Sequence, residues 1–86
     1  MFYTYVLQSQ ADGNLYVGYT SDLKQRILEH NEGRVDSTRT RRPFDLIYYE
    51  ACHHKKDAVA REKYFKTGFG RRFLRNRLEN FHSDSR

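Results

Sequence analysis

The chain is poor in cysteine, in long apolar runs and in internal repetition, and each scarcity removes a class of protein. Its 86 residues contain one cysteine, Cys52. An intrachain disulfide is therefore excluded, and no partner cysteine offers the spacing of a zinc site. Cys52 reads as a small filler at a strand end, and its solitary state suits a reducing, cytoplasmic compartment. No apolar run approaches the ~18 residues of a membrane span, and the N-terminal stretch has no charged lead followed by an apolar signal core. A soluble protein with no membrane partner is expected. Repeats, low-complexity segments and linkers are also lacking. What remains is a single domain over residues 1–81 with a frayed tail over 82–86.

What the chain does have is aromatic bulk and unevenly placed arginine. So short a chain leaves much of its surface in water, so its core must be compact, and seven Tyr and six Phe fit that need. Sixteen Lys plus Arg against eleven Asp plus Glu give a net charge of +5. The excess gathers in "GRVDSTRTRRP", with Arg34, Arg39, Arg41 and Arg42, and in "GRRFLRNRL", with Arg71, Arg72, Arg75 and Arg77. Such clusters are either solvated faces or phosphate contacts; the guanidinium fork pairs well with phosphate oxygens, which points to nucleic acid.

Residues 2–9 and 14–19 are β-branched and aromatic, with Asp12-Gly13 between them, and they read as a hairpin. If Leu7 faces Tyr16, then Tyr5 faces Gly18, and both tyrosines project from one side of the sheet. Gly18 then leaves open space beside the Tyr5 ring. After Thr20 and Ser21, either of which can cap a helix, the pattern predicts a helix from about Asp22 to Asn31, with Gly33 just past its end. On a wheel of ~100° per residue, Arg26 and His30 lie beside the Leu23–Ile27 stripe, one turn apart, and point at the same part of the sheet. Gln25 and Glu29 fall on the far side.

"PFDLIYYEA" reads as a third strand with Phe44, Leu46 and Tyr48 alternating onto one face. "KKDAVAREKYFKTGFG" reads as a second helix, begun near Asp57 and stopped by Gly68 or Gly70. Glu62 falls inside its apolar stripe. A carboxylate there needs a partner, whether Arg26, a backbone donor or a cation. A last helix, about Arg71 to Phe81, is expected to bury Phe73, Leu74, Leu78 and Phe81 and to leave Arg72 and Arg75 outside. His53 and His54 point apart on an extended chain and read as a solvated loop rather than metal ligands.

Hydrolysis of a phosphodiester needs a water, a group to take its proton, and cations for the charge that builds on the phosphoryl oxygens. Tyrosine ordinarily titrates near 10, so a phenol acts as a base only if its proton passes to a neighbour or its phenolate is stabilised. His30 can be that neighbour, Arg26 can hold a phosphate oxygen, and Glu62 can give Mg²⁺ one hard oxygen ligand.

These residues in this order resemble the GIY-YIG nuclease family. Thr4-Tyr5-Val6 is similar to the family's first signature and Tyr16-Val17-Gly18 to its second, followed by "DLKQRILEHN" and "AREKYFKTGFGRRFL". The likeness covers nearly the whole chain and is greatest to small stand-alone bacterial members, which are related to the N-terminal incision domain of the excision-repair nuclease. It implies an α+β fold, a three-stranded antiparallel sheet flanked by about three helices, and a one-metal site using Mg²⁺ or Mn²⁺. It further implies Tyr5 as general base or water-orienting phenol and Tyr16 as the group positioning water or phosphate, with the two roles exchangeable. Arg26 matches the catalytic arginine, His30 a histidine four residues on, and Glu62 the metal-binding glutamate. Thr4 stands where the family has Gly, Val6 where it has Ile, and Tyr19 where many members have Lys. The family's late Asn has only Asn76 to match, and that residue lies off the apolar stripe of its helix.

The expected activity is metal-dependent endonuclease cleavage of DNA, structure-selective and in repair or recombination. The alternative is a nucleic-acid-binding module with weak or no turnover on the same scaffold. Arg39, Arg41, Arg42, Lys66, Arg71, Arg72 and Arg75 are the expected nucleic-acid contacts. The expected partner is branched, nicked or single-stranded DNA, with RNA also open, and a homodimer or partner protein for targeting.

Overall fold

Four consecutive residues, Thr4 to Leu7, are buried without a break, and that pattern marks the middle strand of a sheet covered on both faces. The computed structural model describes residues 1–84. Its elements run β1 (Phe2–Ser9), β2 (Leu15–Thr20), α1 (Leu23–Asn31), a 3₁₀ turn (Arg39–Arg41), β3 (Phe44–Cys52), α2 (Lys55–Phe65), α3 (Gly68–Arg77) and α4 (Glu79–Asp84). The sheet is antiparallel throughout in the order β2-β1-β3, so the fold is α+β with β1 at the centre.

The hairpin register is the expected one, with Leu7 opposite Tyr16 and Tyr5 opposite Gly18. Gly13, at φ +73°, makes the turn, and Ser9 Oγ accepts from the amides of Ala11 and Asp12. Alternation then sorts β1 between two cores. Tyr5 and Leu7, with Phe44, pack under Leu23 and Ile27 of α1. Val6 and Val17 pack on the other face against Phe65, Leu74 and Leu78 of the later helices. Full burial of each such side chain contributes about 1.5–3 kcal/mol. Thr4 faces the second core, and its hydroxyl donates to Ala58 O at 2.8 Å, pinning α2 to the sheet.

Strand β3 departs from simple alternation. Val6 pairs with Tyr48 but Leu7 pairs with Leu46, so Ile47 is the extra residue of a β-bulge. Phe44 keeps to the α1 face while Ile47 and Tyr48 turn to the other. The expectation that Phe44, Leu46 and Tyr48 share a face is therefore corrected.

Helix boundaries also shift. Asp22 is the N-cap of α1, accepting from the Gln25 amide at 3.1 Å, rather than a first-turn residue. Gly33 ends the helix at φ +78°, in the left-handed region that glycine adopts without cost. His54 caps α2 through Nδ1, which accepts from the Lys56 amide, so the helix starts at Lys55, before Asp57. It ends at Phe65. Gly68 and Gly70, expected to stop it, instead form the first turn of α3, capped by Thr67. The single expected last helix breaks at Leu78 into α3 and α4, and Phe81 is exposed rather than buried. Of the tail over 82–86, residues 82–84 complete α4, and residues 85–86 lie outside the described residues.

Candidate active site

Gly18 is the residue that lets the centre of the sheet reach its edge. A Cβ there would stand 2.6 Å from Tyr5 Cζ, so the Tyr5 ring lies across the space a side chain would fill. Tyr5, Tyr16, Gly18, Tyr19 and Thr20 line a cleft of about 370 Å³ together with Arg26, Glu29 and Glu62. Tyr19 lies on the opposite face of β2 from Tyr16 and Gly18, and α1 and α2 cover opposite faces of the sheet. A cleft lined by both opens at the outer edge of β2.

Behind the cleft Tyr5 is held by a buried polar chain. Its hydroxyl lies 2.8 Å from His30 Nε2, and His30 Nδ1 lies 2.8 Å from Thr38 Oγ1. Thr38 Oγ1 in turn donates to Val35 O at 3.4 Å. With the threonine proton so directed, Nδ1 carries the imidazole proton and Nε2 accepts from the phenol. The Tyr5 proton points inward, and on the cleft side the phenol oxygen accepts from the Arg26 guanidinium. Burial pushes His30 down from 6.5 to about 4, with the Arg26 charge acting the same way, so the ring is neutral at physiological pH. Burial also raises the Tyr5 phenol above its ordinary value, while the Arg26 guanidinium beside it pulls the other way. The Tyr16 ring stands 6.5 Å from that of Tyr5 and 5.0 Å from that of His30.

Arg26 and His30 share a face of α1, as their spacing predicts, but with unlike surroundings. His30 is fully buried, whereas Arg26 is part-exposed at the cleft and bonds Glu29 Oε1 at 3.1 Å. Arg26 is thus not the partner of Glu62. Glu62 pairs loosely with Lys66, one helical turn on, at 3.6 Å, and stays partly open to the cleft. Among the described residues no three His, Cys, Asp or Glu side chains gather as a metal cluster. The cleft combines two carboxylates, one guanidinium and three phenols.

The structure separates the remaining basic residues into groups. Arg41 is engaged structurally: it bonds Asp12 Oδ2 at 2.8 Å and Leu15 O at 3.4 Å, over the Phe44 ring, and holds the Asp12 carboxyl below its usual range. Arg42 bonds the Arg39 carbonyl at 2.9 Å. Neither these two nor Arg39 lines the Tyr5 cleft. Lys66, Arg71 and Arg75 do come together, around a second cavity of about 490 Å³ that shares Tyr16 with the first, while Arg72 is exposed and lines neither.

Three contributors escaped the sequence. Thr38 lies in a loop without periodicity and offers no signal. Glu29, expected on the far side of α1, could have been found from its i,i+3 relation to Arg26. Arg61, bonded to both Glu50 oxygens at 2.9 and 2.8 Å and packed over Phe65 and Phe73, braces α2 on β3.

Residues 1–80 match the family model described as the GIY-YIG catalytic domain. The chain is 48% identical over 66 residues to a UPF0213 protein of Bacillus pumilus, covering 76% of this chain and 66% of that protein. It is also 48% identical over 68 residues to one of Pediococcus acidilactici, covering 76% and 68%. It thus spans about two thirds of the length of these relatives. The solution NMR structure of a UPF0213 protein from Bacillus halodurans is similar at a TM-score of 0.53 and 35% identity, covering 86% of this chain and 82% of that one.

Proposed function

The chain belongs to the GIY-YIG family, and from that premise we propose that it is an endonuclease that hydrolyses DNA phosphodiester bonds with one Mg²⁺ or Mn²⁺. The observation that carries the reading is the convergence of Tyr5, Tyr16, Arg26 and Glu62, from two strands and two helices, on one cleft.

The residues fit a hard cation. Glu62 offers a carboxylate facing the cleft, and its 3.6 Å separation from Lys66 is too long for a tight charge-assisted bond to occupy it. Mg²⁺ is commonly held by one or two carboxylates and keeps water elsewhere. Bound there, it supplies charge stabilisation at the phosphoryl group.

The protein's own groups supply the proton path. With Arg26 turned to the phosphate, Tyr5 accepts a proton from the attacking water on the lone pair that Arg26 leaves and gives its own to His30 Nε2, so no free phenolate forms. His30 is too weak a base alone, but a phosphate anion in the cleft, on the far side of Tyr5, favours the imidazolium and raises its pKa. Arg26 holds a non-bridging oxygen, which also keeps the phosphate near Tyr5. Tyr16, across from Tyr5, orients the water or the scissile group.

Glu62→Gln tests the reading. Parent and variant are incubated with single-stranded, nicked, flapped and branched DNA in Mg²⁺, Mn²⁺ or chelator. Metal-dependent cleavage by the parent is expected, reduced in the variant by more than the roughly 10–100-fold cost of losing a mere supporting residue, with DNA binding retained. Equal cleavage by the two proteins would overturn the role of Glu62. Binding without cleavage by the parent would leave a nucleic-acid-binding module.

A further inference from the structure

Arg26, Tyr5, His30, Thr38 and Val35 form one line of hydrogen bonds that runs from the cleft into the loop after α1. Its two ends are chemically opposite. A guanidinium can only donate and a carbonyl can only accept, while the phenol, the neutral imidazole and the threonine hydroxyl between them each have one proton to give. One placement of those protons makes every link: Arg26 to Tyr5, Tyr5 to His30 Nε2, His30 Nδ1 to Thr38, and Thr38 to the Val35 carbonyl. Reversing the middle of the line leaves Thr38 no proton for the carbonyl and turns the phenol proton out toward the Arg26 charge. His30 and Thr38 are each 0% exposed, so bulk water stands in for neither.

Thr38 is the anchored member of this line. Its amide also donates to Val35 O, at 3.1 Å, and its carbonyl accepts from the Arg41 amide at 2.9 Å. The Arg41 carbonyl accepts in turn from Ser9 Oγ, and the Arg41 side chain bonds Asp12, so the loop is tied to the end of β1 and to the hairpin turn. We infer that Thr38 is a positioning residue for the proposed hydrolysis: by holding the His30 ring proton on Nδ1, it keeps Nε2 an acceptor and Tyr5 a group that passes a proton inward. In the reaction the attacking water gives a proton to the Tyr5 oxygen, the Tyr5 proton goes to Nε2, and His30 becomes an imidazolium whose Nδ1 proton stays on Thr38. Without the threonine hydroxyl, a proton on Nδ1 has no acceptor, and orphaned buried N–H groups are rarer and costly. The ring then carries its proton on Nε2 and donates it to the phenol. The phenol proton faces the cleft, and Nε2 has no lone pair left to receive it, so the inward route is closed. The effect on rate rests on the hydrolytic reading, but the place of the ring proton does not.

The test compares the parent with Thr38→Val, which removes the hydroxyl at nearly constant shape, and Thr38→Ser, which keeps it. Nitrogen chemical shifts of the His30 ring are read at neutral pH in chelator, without DNA. The parent and Thr38→Ser should show Nδ1 protonated and Nε2 bare, and Thr38→Val the reverse. With Mg²⁺ and single-stranded, nicked, flapped and branched DNA, Thr38→Val should cleave about 100-fold or more slowly, the low end of what a general base contributes, at unchanged DNA affinity. Thr38→Ser should restore the rate. A parent ring protonated on Nε2 would overturn the assignment, and that measurement needs no variant to fold. A folded Thr38→Val that keeps the parent's ring pattern, or cleaves as fast as the parent, would overturn it equally. An inert parent with its ring proton on Nδ1 sinks only the hydrolysis, whereas equal cleavage by the parent and Thr38→Val sinks only the role of Thr38.

Discussion

His30 is fully buried yet keeps partners on both nitrogens, and this makes it a sensor of acid. In the unfolded chain it titrates at 6.5, and in the folded chain at about 4. Between those values the unfolded state binds more protons, so falling pH favours unfolding. Its contribution to stability is intact above pH 6.5 and lost as pH falls toward 4, a total of roughly 3 kcal/mol at about 1.4 kcal/mol per unit. Urea midpoints from pH 7 to pH 4 should record that loss, and His30→Gln should flatten the curve. An equal slope in the variant would remove His30 as the cause. At this scale much of the site was legible. Arg26, His30 and Glu62 were readable because polar residues sat beside or within an apolar stripe, an anomaly that sequence spacing exposes. Thr38 sets the histidine tautomer but sits in a loop, where only coordinates bring it to the ring.

At the level of elements, two glycines two residues apart act differently. Gly70 is where α3 meets the end of α2: a Cβ there would fall on the Tyr64 carbonyl and 2.7 Å from Phe65 Cα. Backbone cannot swing aside as a side-chain tip does, so Gly70→Ala must push α3 outward and disturb the stacked Phe65 and Phe73 rings, now 5.9 Å apart. The expected cost is about 1–3 kcal/mol, read as a lower melting midpoint. Gly68→Ala meets nothing within 4 Å and should leave stability unchanged or slightly raised. If both substitutions act alike, packing at Gly70 is not the reason for glycine there. Composition reads either glycine as a helix stop, and here that reading failed. Thr67 capping a new helix turned the stop into a start. The strands were read better than the helices, because Asp12-Gly13 fixes the hairpin register while nothing local announces the bulge at Ile47.

Over the whole molecule the charge excess is less available than its count suggests. Arg26, Arg34, Arg41 and Arg61 each bond a carboxylate, whereas Arg71, Arg72 and Arg75 are exposed along α3. The two sequence clusters are therefore unequal: the first is partly spent on holding the 3₁₀ turn to the hairpin, and the second faces solvent beside the cavity and cleft. The DNA binding we propose, if made through α3, would release counterions, and its affinity should fall steeply with salt, by about 0.7 in the log–log slope for each phosphate contacted on a single strand. Arg72→Ala should weaken binding and lower that slope by about the same amount. Arg41→Ala should instead lower thermal stability, through loss of the Asp12 and Leu15 bonds, and leave the slope unchanged. Fluorescence anisotropy of a labelled single strand across a salt series, with Glu62→Gln protein to prevent cleavage, measures both slopes. A salt-independent affinity, or a slope that responds to Arg41 and not to Arg72, would move the nucleic-acid surface away from α3.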